Sequence, residues 1–551
     1  MEPLSLTGKR WNLRMTETVP AGDAAASSRH LTGLLFMHRG VIDAPGMIAT
    51  PGLDAALFPD CEAAAQRIRR AVGSKETVAI FGDYDCDGVT STALMARYFG
   101  RRGMHPVLRL PHRLHEGYGL KPGIVDELRN AGATLLITVD TGISAVAEVE
   151  RANAAGMDVI ILDHHHLPPE LPSALAILHP AVAGIREPHP AAAGIAWSVV
   201  RFLERQEGNE TWEGWDTDCA LGAIGTIADL VTLRGSNRLL VQAGLRALER
   251  IEAGPLRMLR MQAGLEGGVT SRDVAFRIAP RLNAAGRMAD PSIALHALLG
   301  DEASAIALEE LNMQRQALVG HLFEGALVTG EKDPLPFLCL RSPGYVPGIC
   351  GLIAGKLTEK LGKPSLVAHD PGDTCVASLR SIPPYNVTRG LTLAHDLLLS
   401  FGGHAMAAGC SFAAKNFEEL RHRLAADVAA TVRPDDLRPS LDADLCVEAR
   451  HLSLELWQLL RSLEPHGQGN PEPSFLLRDV SLRNARGVGK GAAHLQGFVE
   501  DKKLIGFNLG QFAGVTGSSR VDVVCRLGMD AWNGNRSVQL MADDIRLGNS
   551  K

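Results

Sequence analysis

The chain has 551 residues, 46 % apolar and 21 % charged, which is ordinary for a globular protein but too long for one hydrophobic core, so several domains are expected. Aromatic residues make up only 5 %, which excludes a base-stacking surface spread along the whole chain. The net charge of −6, from 56 basic and 62 acidic residues, does not exclude nucleic acid, because a carboxylate cluster is neutralised locally by divalent ions and a basic groove can sit on an acidic protein.

Residues 1 to about 60 show little periodicity and read as an extension packed on the next domain. From Thr77 short β-rich runs (Val78-Phe81, Val107-Leu110, Leu135-Val139, Val159-Leu162) alternate with helical stretches (Thr90-Phe99, Gly123-Asn130, Ala145-Ala155). That alternation predicts a parallel sheet with right-handed crossovers. A more helical region runs to about residue 300. Ala305, Leu308, Leu311 and Ala317 then fall on a helical repeat and predict a linker helix. A second α/β lobe follows, from about Phe337 to Val432. Beyond Asp442 a helix (Leu452-Leu463) and a Pro/Gly turn (Glu464-Pro471) precede short alternating strands that suit a small β-barrel of the OB type.

Three basic clusters (Arg67, Arg69 and Arg70; Arg101 and Arg102; Arg483, Arg486 and Lys490) serve equally as solvated faces or as parts of a groove. Nine cysteines lack paired metal-ligand spacing, and Cys339, Cys350, Cys410 and Cys525 sit in apolar contexts, as reduced core thiols do. With no signal peptide and no membrane-spanning apolar run, a cytoplasmic protein without a membrane partner is expected.

Asp83, Asp85 and Asp87 follow an apolar strand and precede Gly88 and a helix. Such a density of carboxylates calls for a cation. A calcium loop would need an acid at its twelfth position, where Leu94 stands. An aspartyl-nucleophile phosphatase remains open on this motif alone. Two further strands end in Asp140-Thr141-Gly142 and in Asp163-His164-His165-His166, and the carboxyl ends of parallel strands face one crevice. Asp229 follows another apolar stretch, where a helix cap or a paired surface acid is an equal alternative.

The segments Asp83-Gly88, Val139-Gly142, Asp163-His165 and that around Asp229 resemble, in order, the four motifs of the DHH phosphoesterases. Glu116-Leu120, Ala279-Met288, Gly402-Gly409 and Leu463 through Phe475 resemble those of the branch specific for single-stranded DNA. The resemblance covers about residue 75 to the end. Phe81, Thr141 and His466 depart from the residues frequent in the family, and the extra His166 leaves the histidine register open.

The resemblance implies an α/β chain with an N-terminal extension (1–74), a parallel-sheet DHH domain (75–300), a linker helix (301–328), an α/β DHHA1 domain (329–435) and an OB-fold strand-binding domain (440–551). It implies that Asp83, Asp85, Asp87, Asp140, His164 and Asp229 hold two Mn²⁺ or Mg²⁺ ions, with Asp140 bridging. The oxygen-and-imidazole shell suits either metal. Asp85, Asp140 and His165 would carry the catalysis, His165 by contacting the scissile phosphate or shuttling a proton. Arg109, Arg113, Arg281, Asn283 and Arg287, with Ser378, Arg380, Ser381 and His404 of the second lobe, would contact substrate. Phe475, Phe498 and Phe507 are candidate stacking rings, although core packing explains each as well.

The implied activity is 5′-to-3′ hydrolysis of single-stranded DNA to nucleoside 5′-monophosphates in recombination and repair, beside a single-strand-binding protein and a helicase. A DHH phosphodiesterase of short oligonucleotides or cyclic dinucleotides is the alternative enzyme, and a replication scaffold with a decayed site the alternative without chemistry. Asp140→Ala is expected to abolish hydrolysis while strand binding, followed by fluorescence anisotropy, persists. Deleting residues from about 440 is expected to weaken binding of long strands more than turnover of short ones, compared by anisotropy and product release.

Overall fold

The computed structural model describes residues 4–16, 24–39, 51–113, 115–186, 188–516, 519–532 and 535–548. They form two compact units. One comprises the described residues of Ala44–Leu318 with Glu464–Pro471, the other those of Met1–Asp43, Val319–Leu463 and Glu472–Lys551.

The first unit is built on five parallel strands: β1 (Val78–Gly82), β2 (Val107–Arg109), β3 (Leu135–Val139), β4 (Asp158–Leu162) and β5 (Ala176–Leu178). Their order is β2-β1-β3-β4-β5. Val78, Ile80, Leu135, Ile137 and Val139 pack into a core on one face. Ala79, Phe81, Leu136, Val159 and Ile161 meet Ile124, Val125, Leu128 and Val149 on the other. Burial on both faces is why β1, β3 and β4 read as continuous apolar runs. The short β5 carries too few residues to stand out in the sequence. The order reverses between β1 and β3, and the carboxyl ends of that pair open the crevice where ligands bind in such sheets.

Helices converge behind that crevice. Cys86–Gly100 begins directly after β1, with Asp85 as its N-cap. At Gly88 a Cβ would lie 2.5 Å from the Asp83 carbonyl oxygen, so the strand-to-helix turn admits only glycine. Helix Trp215–Ala228 crosses at Gly225, where a Cβ would fall 2.4 Å from Ala193 Cβ and 2.7 Å from Asp87 Oδ1. The clusters Arg67–Arg70 and Arg101–Arg102 are largely internal struts. Buried Arg67 pairs with Glu76 at 2.7 Å and Asp158 at 2.5 Å, and Arg101 pairs with Asp218 at 2.7 Å and Glu204 at 3.0 Å.

The second unit holds a mixed sheet of β6 (Leu338–Ser342), β7 (Ser365–His369), β8 (Thr374–Arg380), β9 (Leu398–His404) and β10 (Ala407–Ala413). Only β6 and β7 pair in parallel. It also holds a barrel of β11 (Phe475–Val488), β12 (His494–Val499), β13 (Lys502–Gly506), β14 (Arg520–Trp532) and β15 (Asn535–Leu547), closed by pairing of β11 with β14. The expected linker is a 31-residue helix, Glu302–Lys332.

The stretch 1–74 is divided between the units. Ala64, Ala65, Ile68 and Ala71 of helix Cys61–Ser74 belong to the core beneath β1. A short strand, Arg10–Leu13, instead pairs in parallel with Ser440–Ala443. Leu31 and Leu35 of helix Ala24–Arg39 pack with Leu452, Leu456 and Leu460. Gly225→Val is expected to lower the melting temperature, since overpacking costs about 1–3 kcal/mol, and to weaken Mn²⁺ binding through the displaced Asp87. Calorimetric melts and Mn²⁺ titration check both effects.

Candidate metal centre

Each acid at the crevice is placed by a different backbone feature. Asp83 and Asp140 end β1 and β3, and Asp140 takes a left-handed φ of +61°. Asp85 Oδ1 accepts the amides of Asp87 (2.9 Å) and Gly88 (3.2 Å). Asp87 lies at the start of helix Ala192–Gln206 and accepts the amides of Ala192 (2.8 Å) and Ala193 (2.9 Å), where the helix dipole favours an anion. Asp229 caps the end of helix Trp215–Ala228.

These side chains meet in three groups, the third being Asp140 with His164 and His165. Asp83, Asp85 and Asp140 offer oxygens within 4.8 Å of one another, as Asp87, His164 and Asp229 offer ligand atoms. Asp140 joins the groups, because His164 Nε2 lies 3.2 Å from Asp140 Oδ1, 3.6 Å from Asp229 Oδ2 and 3.8 Å from Asp87 Oδ2. Asp83 Oδ1 is buried without a hydrogen-bond partner among the described residues. A buried acceptor left over in a carboxylate cluster is what a divalent cation would complete, and the donor set fits Mn²⁺ or Mg²⁺.

Burial, and then the neighbouring acids, push Asp83, Asp140 and Asp229 well above the usual carboxylate range. The same causes raise Asp87 to about 7, against the pull of the Ala192 and Ala193 amides. Asp163 behaves oppositely. Burial would raise it, but its bonds to His165 and to the backbone hold it below the ordinary range. It accepts from the amides of Ile143 (3.0 Å), His164 (2.7 Å) and His165 (3.1 Å), and its Oδ1 lies 2.7 Å from His165 Nδ1. Burial would lower the His165 imidazole, yet Asp163 and the other acids bring it up to about 9.

The histidine run is thereby sorted: His164 faces the acids, His165 is bound to Asp163, and His166 is exposed. Asp163 reads in the sequence only as part of a motif; its position at the end of β4, just before the histidines, is the signal for an orienting role. Tyr118, between two left-handed glycines, likewise belongs to a motif that does not by itself reveal its contacts. Its hydroxyl lies 3.3 Å from His165 Nδ1 and 3.4 Å from the Asp140 carbonyl oxygen.

The candidate substrate contacts divide. Arg113 stacks over Tyr84 at 4.8 Å and makes no ion pair among the described residues. Arg109 is engaged by Glu116 at 2.5 Å and Glu127 at 3.3 Å. Arg281 is enclosed by Glu309 at 2.6 Å and the carbonyls of Arg277 and Gln262. Asn283 Oδ1 accepts the Cys86 amide at 3.0 Å and so braces the aspartate turn rather than facing solvent. Arg287 lies near the Tyr84 hydroxyl and exerts a lowering pull on it.

In the second unit Ser378 and Arg380 lie on β8 and His404 ends β9. Arg380 covers Gly351, where a Cβ would meet its guanidinium at 3.1 Å. Buried Ser381 donates to the Tyr385 carbonyl at 2.6 Å. Of the candidate rings, Phe475 is core, Phe498 is half-buried and Phe507 is 59 % exposed.

Fold and site together define an α/β protein of the DHH class with a candidate divalent-metal centre. Residues 77–232 match the DHH family, N-terminal domain, residues 335–430 the DHHA1 domain, and residues 443–544 the RecJ OB domain. The single-stranded-DNA-specific exonuclease RecJ of Thermus thermophilus is 34 % identical over 93 % of this chain and 74 % of its own length. That of Escherichia coli K12 is 31 % identical over 97 % of this chain and 98 % of its own length. The Bacillus subtilis protein is 33 % identical over 87 % of this chain, but this chain spans only 62 % of its length. The crystal structure of RecJ in complex with Mn²⁺ from Thermus thermophilus matches with a TM-score of 0.82 at 30 % identity, covering 98 % of this chain and 80 % of that one. The chain belongs to the RecJ family.

The raised Asp87 carboxyl keeps its proton above the unfolded-state range, so the stability it contributes is present at low pH and lost as pH rises through about 7, and Asp83, Asp140 and Asp229 act in the same direction. Cations displace those protons. Calorimetric Mn²⁺ binding should therefore be tighter at about pH 8 than at about pH 6, with proton release, and Mn²⁺ should raise the melting temperature more at the higher pH.

Proposed function

We propose that the protein is a single-strand-specific DNA exonuclease that works 5′ to 3′ and releases nucleoside 5′-monophosphates by two-metal hydrolysis, in recombination and repair. The observation that carries this reading is Asp140, shared between the Asp83–Asp85 group and the His164 group. Asp83, Asp85, Asp87, Asp140, His164 and Asp229 would hold two Mn²⁺ or Mg²⁺ ions. When bound, these supply the positive charge that activates water and offsets charge developing on the phosphate.

The chain's own residues do the rest. Asp163 commits His165 Nδ1, which leaves Nε2 as the nitrogen available to a phosphate oxygen or a proton. The open guanidinium of Arg113 beside Asp83 suits a phosphate, with Arg287 near the same tyrosine. Arg109 and Arg281 are framework cations in this reading, because reaching substrate would break their ion pairs. On the barrel, Arg486 and Lys490 are exposed and make no ion pair among the described residues. Phe507 stands edge-on to His494 at 5.1 Å. An exposed ring and two exposed cations on the barrel suit sequence-neutral strand binding.

Polarity, a role in repair, and partners such as a single-strand-binding protein or a helicase rest on family resemblance. All nine cysteines are free, and no helix among the described residues is long and apolar enough to cross a membrane. Free thiols agree with the reducing cytoplasm we assign. The alternative of a phosphodiesterase for short oligonucleotides or cyclic dinucleotides leaves the barrel without a use.

End-labelled single- and double-stranded DNA incubated with Mn²⁺, Mg²⁺ or EDTA tests the reading. The expected result is mononucleotides released from the 5′ end, from single strands only, and none in EDTA. Equal cleavage of cyclic dinucleotides and long strands would favour the alternative.

A further inference from the structure

We infer that Glu464–Pro471 is a clip that positions Asp229, an inference that rests on the metal-centre reading above. Asp83 and Asp140 are fixed by strand ends within the sheet. Asp229 has no such support: it ends a helix and is followed by Leu230, which is 69 % exposed and left-handed at φ +59°. The turn from Leu230 to Arg234 then leads into helix Gly235–Arg250.

The clip holds that turn and its surroundings mainly through main-chain carbonyls. The Leu233 amide donates to the Gln468 carbonyl at 2.9 Å and Arg234 Nε to the Gly469 carbonyl at 3.2 Å. Around them, Gln242 Nε2 donates to the Glu464 carbonyl at 3.1 Å, Arg238 Nη1 to the Pro465 carbonyl at 3.4 Å, and Ser271 Oγ to the His466 carbonyl at 2.5 Å.

The clip is itself closed by mutual amide–carbonyl bonds of Gly467 and Asn470, at 2.9 and 3.0 Å. The fully buried Asn470 side chain donates to the Pro465 carbonyl at 2.9 Å. Its glycines lie flat against the turn. A Cβ on Gly467 would come within 2.7 Å of Leu233, and one on Gly469 within 2.6 Å of Thr232. Leu233 is 2 % exposed. The backbone is thus tied down within four residues of Asp229, whose Oδ2 is 3.6 Å from His164 Nε2.

The clip lies in the stretch that runs into β11. Removing residues from about 440 therefore takes away the support of a metal ligand together with the barrel. Beyond weakening long-strand binding more than short-strand turnover, this deletion should therefore also raise the Mn²⁺ requirement.

The test uses the full-length chain with Asn470→Ala and, outside the clip, the milder Ser271→Ala, beside Asp229→Asn. Mn²⁺ binding by isothermal calorimetry and hydrogen exchange over 229–234 are read independently of turnover. Loss of an outer support typically weakens metal affinity by about ten-fold or more. Asn470→Ala should show that loss for one Mn²⁺ equivalent, faster exchange of the Leu233 amide and unchanged exchange over 83–88, with nuclease activity restored at saturating Mn²⁺. Ser271→Ala should shift both readouts the same way by less, and it decides the matter if Asn470→Ala does not fold. Faster exchange with an unchanged Mn²⁺ isotherm would overturn the inference and leave the clip a packing element. If Asp229→Asn also left the isotherm unchanged, the assignment of Asp229 as a ligand would fall instead.

Discussion

Mutual repulsion among buried carboxylates governs this structure. Asp83, Asp87 and Asp140 are almost wholly withdrawn from solvent, and Asp140 feels the charge of both of the others, an arrangement that costs free energy unless positive charge joins it. Much of the first unit holds this unfavourable group together. Amides at a helix start face Asp87, the strand-to-helix turn admits only glycine at position 88, and Asn283 braces that turn from another helix. Such a frame would arrange the proposed ligands before a cation arrives, so that binding need not order them.

The supports come in tiers that match the distance of each ligand from the sheet. Strand ends suffice for Asp83 and Asp140. Asp163 aligns the histidine run through three amides and one imidazole. Asp229, farthest from the sheet in chain terms, depends on a turn braced by residues more than two hundred positions later. Glu464–Pro471, which reads in the sequence as a Pro/Gly turn, packs in the same unit as those acids.

The sequence is most legible where periodicity is local. The apolar runs of β1, β3 and β4 locate the sheet, and its strand ends deliver the acids because in parallel strands those ends share one edge. What escapes is set by long-range pairing. Nothing in the spacing of Arg109 or Arg281 tells that Glu116, Glu127 and Glu309 claim them. Nor does the lack of periodicity before residue 60 tell that Arg10–Leu13 is a strand, since its partner lies at Ser440–Ala443. Asn283, Asp163 and Tyr118 belong to recognisable motifs, but which atom each meets depends on how separate elements converge.

That same pairing of Arg10–Leu13 with Ser440–Ala443 has a consequence for how the protein is made. Arg10–Leu13 leaves the ribosome long before Ser440–Ala443, the strand it pairs with. At about 5–20 residues per second, roughly 20–90 seconds separate the two. Throughout that interval the parallel-sheet unit can already be folding, while the amino-terminal strand waits with an unpaired edge of the kind that invites wrong partners. In this chain that exposed edge is relieved only once Ser440–Ala443 has been made.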